Sequence, residues 1–286
     1  MPPVSLSTAT AQPPRTRGNP APYCVRLSYT LPALAQPAKH LMNPIVLIPA
    51  RMAATRLPGK PLADIGGVPM IVRVLRQAEA AGVGPVAVAA GDAEIVAAVE
   101  AAGGRAVLTD PDLPSGSDRI LAALNDIDPS GVHDEVINLQ GDIPFVAPEV
   151  LRATVNLLGE QPTCDIATVM VAESDPADRA NRDIPKVVAA MQPDGRGGRA
   201  LYFTRSALYG DGPVWLHHGV YGFRRQALIR FTAAPPSPLE LRERLEQLRA
   251  LEMGMSIWAA VIDAAPISVD NPADLERARD HARTAS

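Results

Sequence analysis

Two rhythms alternate along the chain from residue 42 onward. Short, unbroken apolar runs (Ile45–Pro49, Val86–Ala90, Ala106–Leu108 and Val136–Leu139) read as strands buried on both faces. Between them lie segments with helical spacing. After Pro69, the residues Ile71, Val74, Leu75 and Ala78 repeat at i, i+3, i+4 and i+7, and Gly82 closes the segment. Ala93–Ala102, closed by Gly103-Gly104, a stretch near Ser117–Asn125, and Pro148–Leu158 read as three further helices. Strand and helix at this spacing imply right-handed crossovers and a parallel sheet. Beyond residue 160 the pattern loosens. Ile166–Val171, Val187–Ala190, Ala200–Phe203 and Val220–Phe223 are strand candidates set between Gly/Pro turns, an antiparallel excursion. A long helix, Leu239–Glu252, and a last strand, Ser256–Ile262, follow. Asn271 then caps a C-terminal helix, with Pro272 at its first position and Asp274 three residues past the cap. The expectation is an α/β fold, a mostly parallel sheet flanked by helices with a small antiparallel inserted subdomain.

Residues 1–41 are different in kind. They hold eight of the 29 prolines and four basic residues, with no Asp or Glu and no apolar period. This leader reads as disordered. Its Arg content suits a transit peptide, and Ala33-Leu34-Ala35 resembles a cleavage site, but Arg26, Ser28 and Thr30 interrupt the apolar stretch a secretion signal needs. The favoured reading is translation from Met42. The domain proper is then 42–286.

The whole chain carries 27 basic and 31 acidic residues, a net charge of −4, and residues 42–286 alone carry −8. That balance argues against general nucleic-acid binding, which draws on a basic excess, but leaves room for a phosphate ligand held by a few placed cations. No window approaches the ~20 apolar residues of a membrane span. Cys24 and Cys164 lie in no metal-binding spacing, and the chain reads as a cytoplasmic protein with reduced thiols.

Candidate chemistry sits on the loops. Pro49-Ala-Arg-Met-Ala-Ala-Thr-Arg-Leu-Pro-Gly-Lys-Pro61 follows the first strand, at the sheet edge where α/β proteins bind ligands. Arg51, Arg56 and Lys60 supply cations, and small residues such as Ala50 let the backbone approach a triphosphate. This is no Walker loop, since Ala54 stands where the first Gly belongs and Pro61 replaces the Ser or Thr. Asn138-Leu-Gln-Gly-Asp-Ile-Pro144 brings Asp142 out at the same edge. A carboxylate facing bound phosphates would act through Mg²⁺, which takes one or two carboxylates plus phosphate oxygens. Asp270, by itself, reads more readily as an acid beside a helix start. Adjacent His217 and His218 lack the i, i+4 spacing of a two-His metal site, and no nucleophile elbow is present.

In order and spacing, IPARMAATRLPGKPL, SGSDR, NLQGDIP, PKVV, ALYFTR, HHGVYGFR, SPLELRERLEQLR and VDNPADLERAR resemble the 3-deoxy-manno-octulosonate cytidylyltransferases, the CMP-Kdo synthetases, over about residues 43–283. The resemblance implies a nucleotide-diphospho-sugar transferase fold, Mg²⁺ dependence, a homodimer built through about 195–240, and the reaction CTP + Kdo → CMP-Kdo + pyrophosphate. It implies catalytic roles for Lys60, Arg51, Asp142 and Asp270, with Asp142 and Asp270 as metal carboxylates. On the nucleotide side it nominates Ala50, Arg51, Arg56, Lys60, Asp92, Ser115 and Arg119. On the sugar side it nominates Gln140, Arg205, His217, Tyr221, Glu240 and Glu246. Arg119 and Arg205 are candidates for the sugar's carboxylate. The partners implied are CTP and a small acidic sugar, with neither nucleic acid nor membrane.

The chain departs from the family pattern at Ile143 (commonly Glu), Leu113 (usually His), Ser117 (Thr) and Gly91 (Asp). Rival readings are a cytidylyltransferase for an amino-Kdo or sialic-type acid, and a catalytically silent nucleotide-sugar binding protein. A glycosyltransferase would want a DxD pair, and Gln140 stands where its first Asp belongs.

Overall fold

The computed structural model describes residues 42–53, 56–173, 175–208, 210 and 214–284; the leader 1–41 lies outside them. β1 (Pro44–Ala50) is buried along its whole length, as its unbroken apolar run requires. Its residues alternate between two cores. Val46 and Ile48 join one apolar cluster, and Ile45 and Leu47 join another on the opposite face.

A short 3₁₀ turn (Lys60–Leu62) and a hairpin of β2 (Asp64–Ile65) and β3 (Val68–Pro69) lead into α1 (Met70–Ala81). The hairpin turns on Gly66 and Gly67, both at positive φ. Gly82 ends α1 in the left-handed conformation, as the sequence suggests. Then come β4 (Val86–Ala90), α2 (Ala93–Ala101), β5 (Ala106–Leu108), α3 (Gly116–Ile127), β6 (Glu135–Leu139) and α4 (Pro148–Glu160). Helices α1, α2 and α4 cover the Val46/Ile48 face, while α3 covers the other. Helices flank the sheet on both faces as expected, and the sheet itself is mixed, with β10, β9 and β8 pairing antiparallel.

The remaining elements are β7 (Ile166–Glu173), α5 (Pro176–Ala180), β8 (Lys186–Met191), β9 (Gly197–Thr204), β10 (Val214–Arg224), α6 (Arg225–Ala233), α7 (Pro238–Glu243), α8 (Gln247–Glu252), β11 (Ile257–Val261) and α9 (Pro272–Thr284). Among the described residues nine strands form one sheet in the order β5-β4-β1-β6-β10-β7-β11-β9-β8. β1 runs parallel to β4 and β6, and β4 to β5, so the loops after β1, β4 and β6 leave the sheet at one edge. β10 is antiparallel to both β6 and β7 and also pairs with β8, so β10, β7, β11, β9 and β8 close into a ring.

Three expectations change. The antiparallel excursion is part of this sheet rather than a detached subdomain, and the stretch 195–240 spans β9, β10 and α6. The single helix expected over Leu239–Glu252 is two, because Arg244 adopts φ 57°, the left-handed conformation, between α7 and α8. A helix absent from the sequence reading, α6, buries Ala227, Leu228 and Phe231. Asn271, Pro272 and Asp274 behave as expected: Asp274 N–H donates to Asn271 Oδ1 at 3.0 Å and Asn271 N–H returns a bond to Asp274 Oδ2 at 3.2 Å.

Candidate active site

The segments after β1, β5 and β6 enclose a cleft of about 280 Å³ lined by, among others, Arg51, Lys60, Arg119, Gln140 and Asp142. Its first wall is the chain after β1. Gly91 N–H donates to Ala50 O at 2.8 Å, and Asp92 Oδ2 accepts Met52 N–H at 2.7 Å, so β4 fixes the direction in which the basic loop leaves the sheet. Asp92 thus holds the backbone of the basic loop. Gly91 has a packing reason of its own: a Cβ there would come within 2.8 Å of the Arg119 guanidinium. Arg119 is buried and donates to Thr109 Oγ1 (2.7 Å), Asp110 O (2.9 Å) and Pro111 O (3.1 Å). It ties α3 to the loop after β5 while presenting part of its side chain to the cleft.

The opposite wall follows β6. A Cβ on Gly141 would sit 2.8 Å from Pro49 O, so only glycine lets the two loops approach this closely. The next residue, Asp142, meets the basic loop: Lys60 Nζ lies 2.8 Å from Asp142 Oδ2 and 3.6 Å from Asp270 Oδ1, and Arg56 Nη2 lies 3.1 Å from the same Asp270 oxygen. Four residues from three distant segments therefore converge at the mouth of the cleft. Asp270 is brought there by backbone, because Val269 N–H donates to Asp142 O at 2.9 Å. Among the described residues no three His, Cys, Asp or Glu converge to hold a metal by themselves. Two carboxylates already bridged by one ammonium suit Mg²⁺, which completes its shell with phosphate and water oxygens.

Behind the cleft is a buried polar cluster. Gln140 Nε2 donates to Asn138 Oδ1 at 3.1 Å, and Asn138 pairs across β6–β10 with Tyr221. Tyr221 donates to Gln247 Oε1 at 3.3 Å, and Ser117 to Glu246 Oε2 at 3.3 Å. Burial, then the charge of Glu246, raise the Tyr221 phenol, which stays protonated. Burial also raises Glu246, against the Ser115 and Ser117 hydroxyls and Arg249. Gln247 Nε2 and Glu246 Oε1 are buried and carry no hydrogen bond, although Arg249 Nη2 lies 3.9 Å from Glu246 Oε1.

A bulge in β10 between His218 and Gly222 shapes this wall. Thr168 Oγ1 faces it, donating to Val220 O at 2.9 Å. The same oxygen lies 3.0 Å from His217 Nε2 and 3.3 Å from His218 O, so it holds one edge of the imidazole. Burial, reinforced by His218, lowers His217 to about 3, so it is a neutral imidazole at working pH.

The cytidylyltransferase family model matches residues 45–257. The 3-deoxy-manno-octulosonate cytidylyltransferase of Parvibaculum lavamentivorans is 56% identical over 249 residues, which cover 86% of this chain and 96% of that protein. The chain belongs to the 3-deoxy-manno-octulosonate cytidylyltransferase family. The relative of the same name from Methylobacterium radiotolerans is 55% identical over 240 residues, 84% of this chain and 96% of that one. A solved structure of CMP:2-keto-3-deoxy-manno-octonic acid synthetase complexed with CTP superposes with a TM-score of 0.78 at 35% identity, over 85% of this chain and all of that one. Membership makes the chain a nucleotidyltransferase.

Of the residues nominated for this family's site, Ala50, Arg51, Lys60, Ser115, Arg119, Gln140 and Asp142 line the cleft, and Arg56 and Asp270 stand at its mouth. His217, Tyr221 and Glu246 belong to the polar cluster behind it, and Glu246 also lines a second cavity. Two nominated residues make contacts away from this cleft, and Glu240 lines the second cavity with Ser115 and Glu246. Arg205 lines no part of the cleft; its guanidinium donates to the backbone oxygens of Arg182, Asp183, Glu243 and Arg244, stapling the β7–β8 connection to the α7–α8 break. Glu240 closes a capping box with Ser237 and takes both nitrogens of Arg249, at 2.6 and 2.8 Å, so its oxygens are committed. Ser115 caps α3 through Asp118 N–H. Sequence reasoning missed Asn138, Thr168 and Gln247; a buried Thr within the apolar run of β7 was the available signal for Thr168. Of the departures, Ile143 packs into the apolar core beneath the Asp142 loop, and Leu113 lines the cleft.

Proposed function

We propose that this chain transfers the cytidylyl group of CTP to the sugar acid 3-deoxy-manno-octulosonate, giving CMP-Kdo and pyrophosphate for lipopolysaccharide synthesis, as a Mg²⁺-dependent homodimer in the cytoplasm. The observation that carries this reading is the convergence of Lys60 and Arg56 with Asp142 and Asp270 at the mouth of a cleft walled by the basic loop. The relatives named for this reaction and the neighbour complexed with CTP support it. The exposed Leu201 on β9, inside the stretch 195–240, supports the dimer contact. The need for CTP supports the cytoplasmic location.

The anomeric hydroxyl attacks the α-phosphorus in line, and the bond from that phosphorus to the bridging oxygen of pyrophosphate breaks. Lys60, Arg51 and Arg56 neutralise charge on the phosphates, and the backbone after Ala50, fixed by Asp92, lies alongside them. Asp142 and Asp270 would hold Mg²⁺. When bound, the ion supplies charge neutralisation at the α-phosphate and eases ionisation of the attacking hydroxyl. Gln140, Tyr221, Gln247 and His217 offer hydrogen-bonding groups that orient the sugar. Arg119, in the wall of the cleft, and Arg205 are the candidate cations for the sugar's carboxylate. No residue in the site is placed as a covalent nucleophile, so catalysis rests on positioning and charge stabilisation.

The test is pyrophosphate release with CTP and Mg²⁺, with and without Kdo. Release that needs both substrates and stops with EDTA is the expected result. Release with a sialic-type or amino-Kdo acid in place of Kdo would reassign the substrate, and CTP binding without turnover on any acidic sugar would leave a silent binding protein.

A further inference from the structure

The two carboxylates assigned to the metal come from segments 128 residues apart in sequence, so something must hold Asp270 at a fixed angle to Asp142. Asp142 sits on the loop after β6 and is flanked by the sheet. Asp270 is on an irregular segment just ahead of α9, where backbone groups have no helix or ladder to pair with. The structure shows how that segment is fixed. Asp274 Oδ2 accepts the N–H of Asp270 itself at 2.8 Å and that of Asn271 at 3.2 Å. Asp274 is buried, and Arg277 holds its other oxygen at 2.5 Å. One residue before Asp270, Val269 N–H is bonded to Asp142 O. Both peptide groups flanking Asp270 are therefore held by the Asp274 carboxylate, and the peptide before them by Asp142's own backbone.

From this we infer that Asp274 is a positioning residue for the metal: it acts through Asp270 and sets the angle at which that carboxylate meets the one on Asp142. The inference rests on the proposed Mg²⁺ role of this pair. It differs from ordinary helix capping because the rest of α9 is secured independently. Leu275, Ala278 and Ala282 pack with Ile65 and Met70, Arg279 Nε donates to Asp64 O at 2.9 Å, and His281 stacks edge-on against Phe145 at 4.6 Å. Loss of the Asp274 carboxylate frees the first turn and Asp270, and leaves the helix seated.

The experiment is Mn²⁺ titration of the full chain in the presence of CTP, followed by the EPR signal of free Mn²⁺, with thermal melts of the metal-free proteins. Residues that orient metal ligands typically change affinity by about 10–100-fold when removed. Asp274→Ala is expected to weaken Mn²⁺ binding about tenfold or more, to lower kcat at limiting Mg²⁺ more than at saturating Mg²⁺, and to leave the KM for CTP within about twofold. Asp274→Asn keeps an oxygen for the two N–H groups, and is expected to restore Mn²⁺ affinity to within about threefold of the parent. Asp270→Asn separates the two levels of the argument. If it weakens Mn²⁺ binding while Asp274→Ala does not, the positioning role is wrong and the metal assignment stands. If neither variant changes Mn²⁺ affinity, the metal assignment fails and takes this inference with it. Equal weakening by Asp274→Ala and Asp274→Asn with a matching drop in melting temperature would reduce Asp274 to a structural cap and overturn the inference.

Discussion

Acid should destabilise this protein well above the range where its carboxylates titrate, and two adjacent histidines are the reason. Burial lowers His217 to about 3 and His218 to about 4, against an ordinary value near 6.5. His218 Nε2 is buried without a hydrogen-bond partner, and the His217 ring is enclosed by Phe203, Tyr221 and the Thr168 hydroxyl. Below pH 6.5 the unfolded chain binds protons at both positions and the folded chain at neither. Stability therefore falls as pH falls, and the loss levels off only beneath the folded values of about 4 and 3. At pH 5 each imidazole is about 1.5 units below its unfolded pKa, which corresponds to about 2 kcal/mol apiece and about 4 kcal/mol for the pair. For a chain of this size that amounts to ~8–16 °C in melting temperature.

Two carboxylates set the background to this effect. Glu246, raised by burial, works in the opposite direction and gains stability on acidification. Asp128, held far below the usual carboxylate range by the His133 and Val132 N–H groups and Arg225 despite its burial, loses its contribution only below about pH 4. Urea unfolding at pH 8, 6.5 and 5, followed by circular dichroism, measures the slope. His218→Leu fills a similar volume with no ionisable group, and should remove about half of the loss between pH 8 and 5. A stability that stays level over that interval, or a His218→Leu protein that retains the full loss, would refute the reasoning.

The remaining expectations concern the charged groups. Asp142→Ala should lower kcat by ~10²–10³, in line with removal of one charge-stabilising group, and activity within a few-fold of the parent in steady-state assays would remove Asp142 from the metal site. Lys60→Met should act on kcat to a similar extent, because its ammonium sits between Asp142 and Asp270; a change confined to KM would make Lys60 a uniform binding group. Asp128→Ala should destabilise the fold by ~3–5 kcal/mol, since it strands the largely buried Arg225 guanidinium now 2.6 Å from Asp128 Oδ2, and a loss below about 1 kcal/mol in urea unfolding would contradict that.

What could be read from the sequence follows from how locally each feature is specified. β4 and β5 match their expected bounds because each is an unbroken apolar run ended by Gly or Thr; β4 is buried as such a run predicts, whereas β5 is an edge strand with Leu108 exposed. Gly82 and the Asn271–Asp274 box mark helix ends by chemistry contained within a few residues. β10 is eleven residues long, and only Val220–Phe223 was visible, because His217, His218 and Gly219 interrupt the apolar pattern at the bulge beside the polar cluster. The break at Arg244 was invisible for a different reason. Nothing in Leu-Arg-Glu-Arg-Leu forbids a helix, and the left-handed residue is accommodated by tertiary contacts, among them the Arg205 bond to Arg244 O.

The same distinction explains the site. Positive charge on the basic loop is legible because three cations fall within ten residues after a buried strand. Asp270 is not, since its meaning depends on a backbone bond to Asp142 across the molecule. The resemblance to the family supplied that pairing before the structure did, yet it could not separate contact from support. Asp92, Arg205 and Glu240 were nominated alongside Lys60, and each has a carboxylate or guanidinium that could meet a nucleotide or a sugar. In the fold their polar atoms are taken up by a loop N–H, by four backbone oxygens, and by Ser237 and Arg249. The polar cluster instead keeps its unmet hydrogen-bonding capacity on Gln247 and Glu246, at the start of α8 just past the helix break. Arg244's left-handed turn is thus what delivers those two side chains to Tyr221 and Ser117: an uninterrupted helix over 239–252 would rotate them to another face.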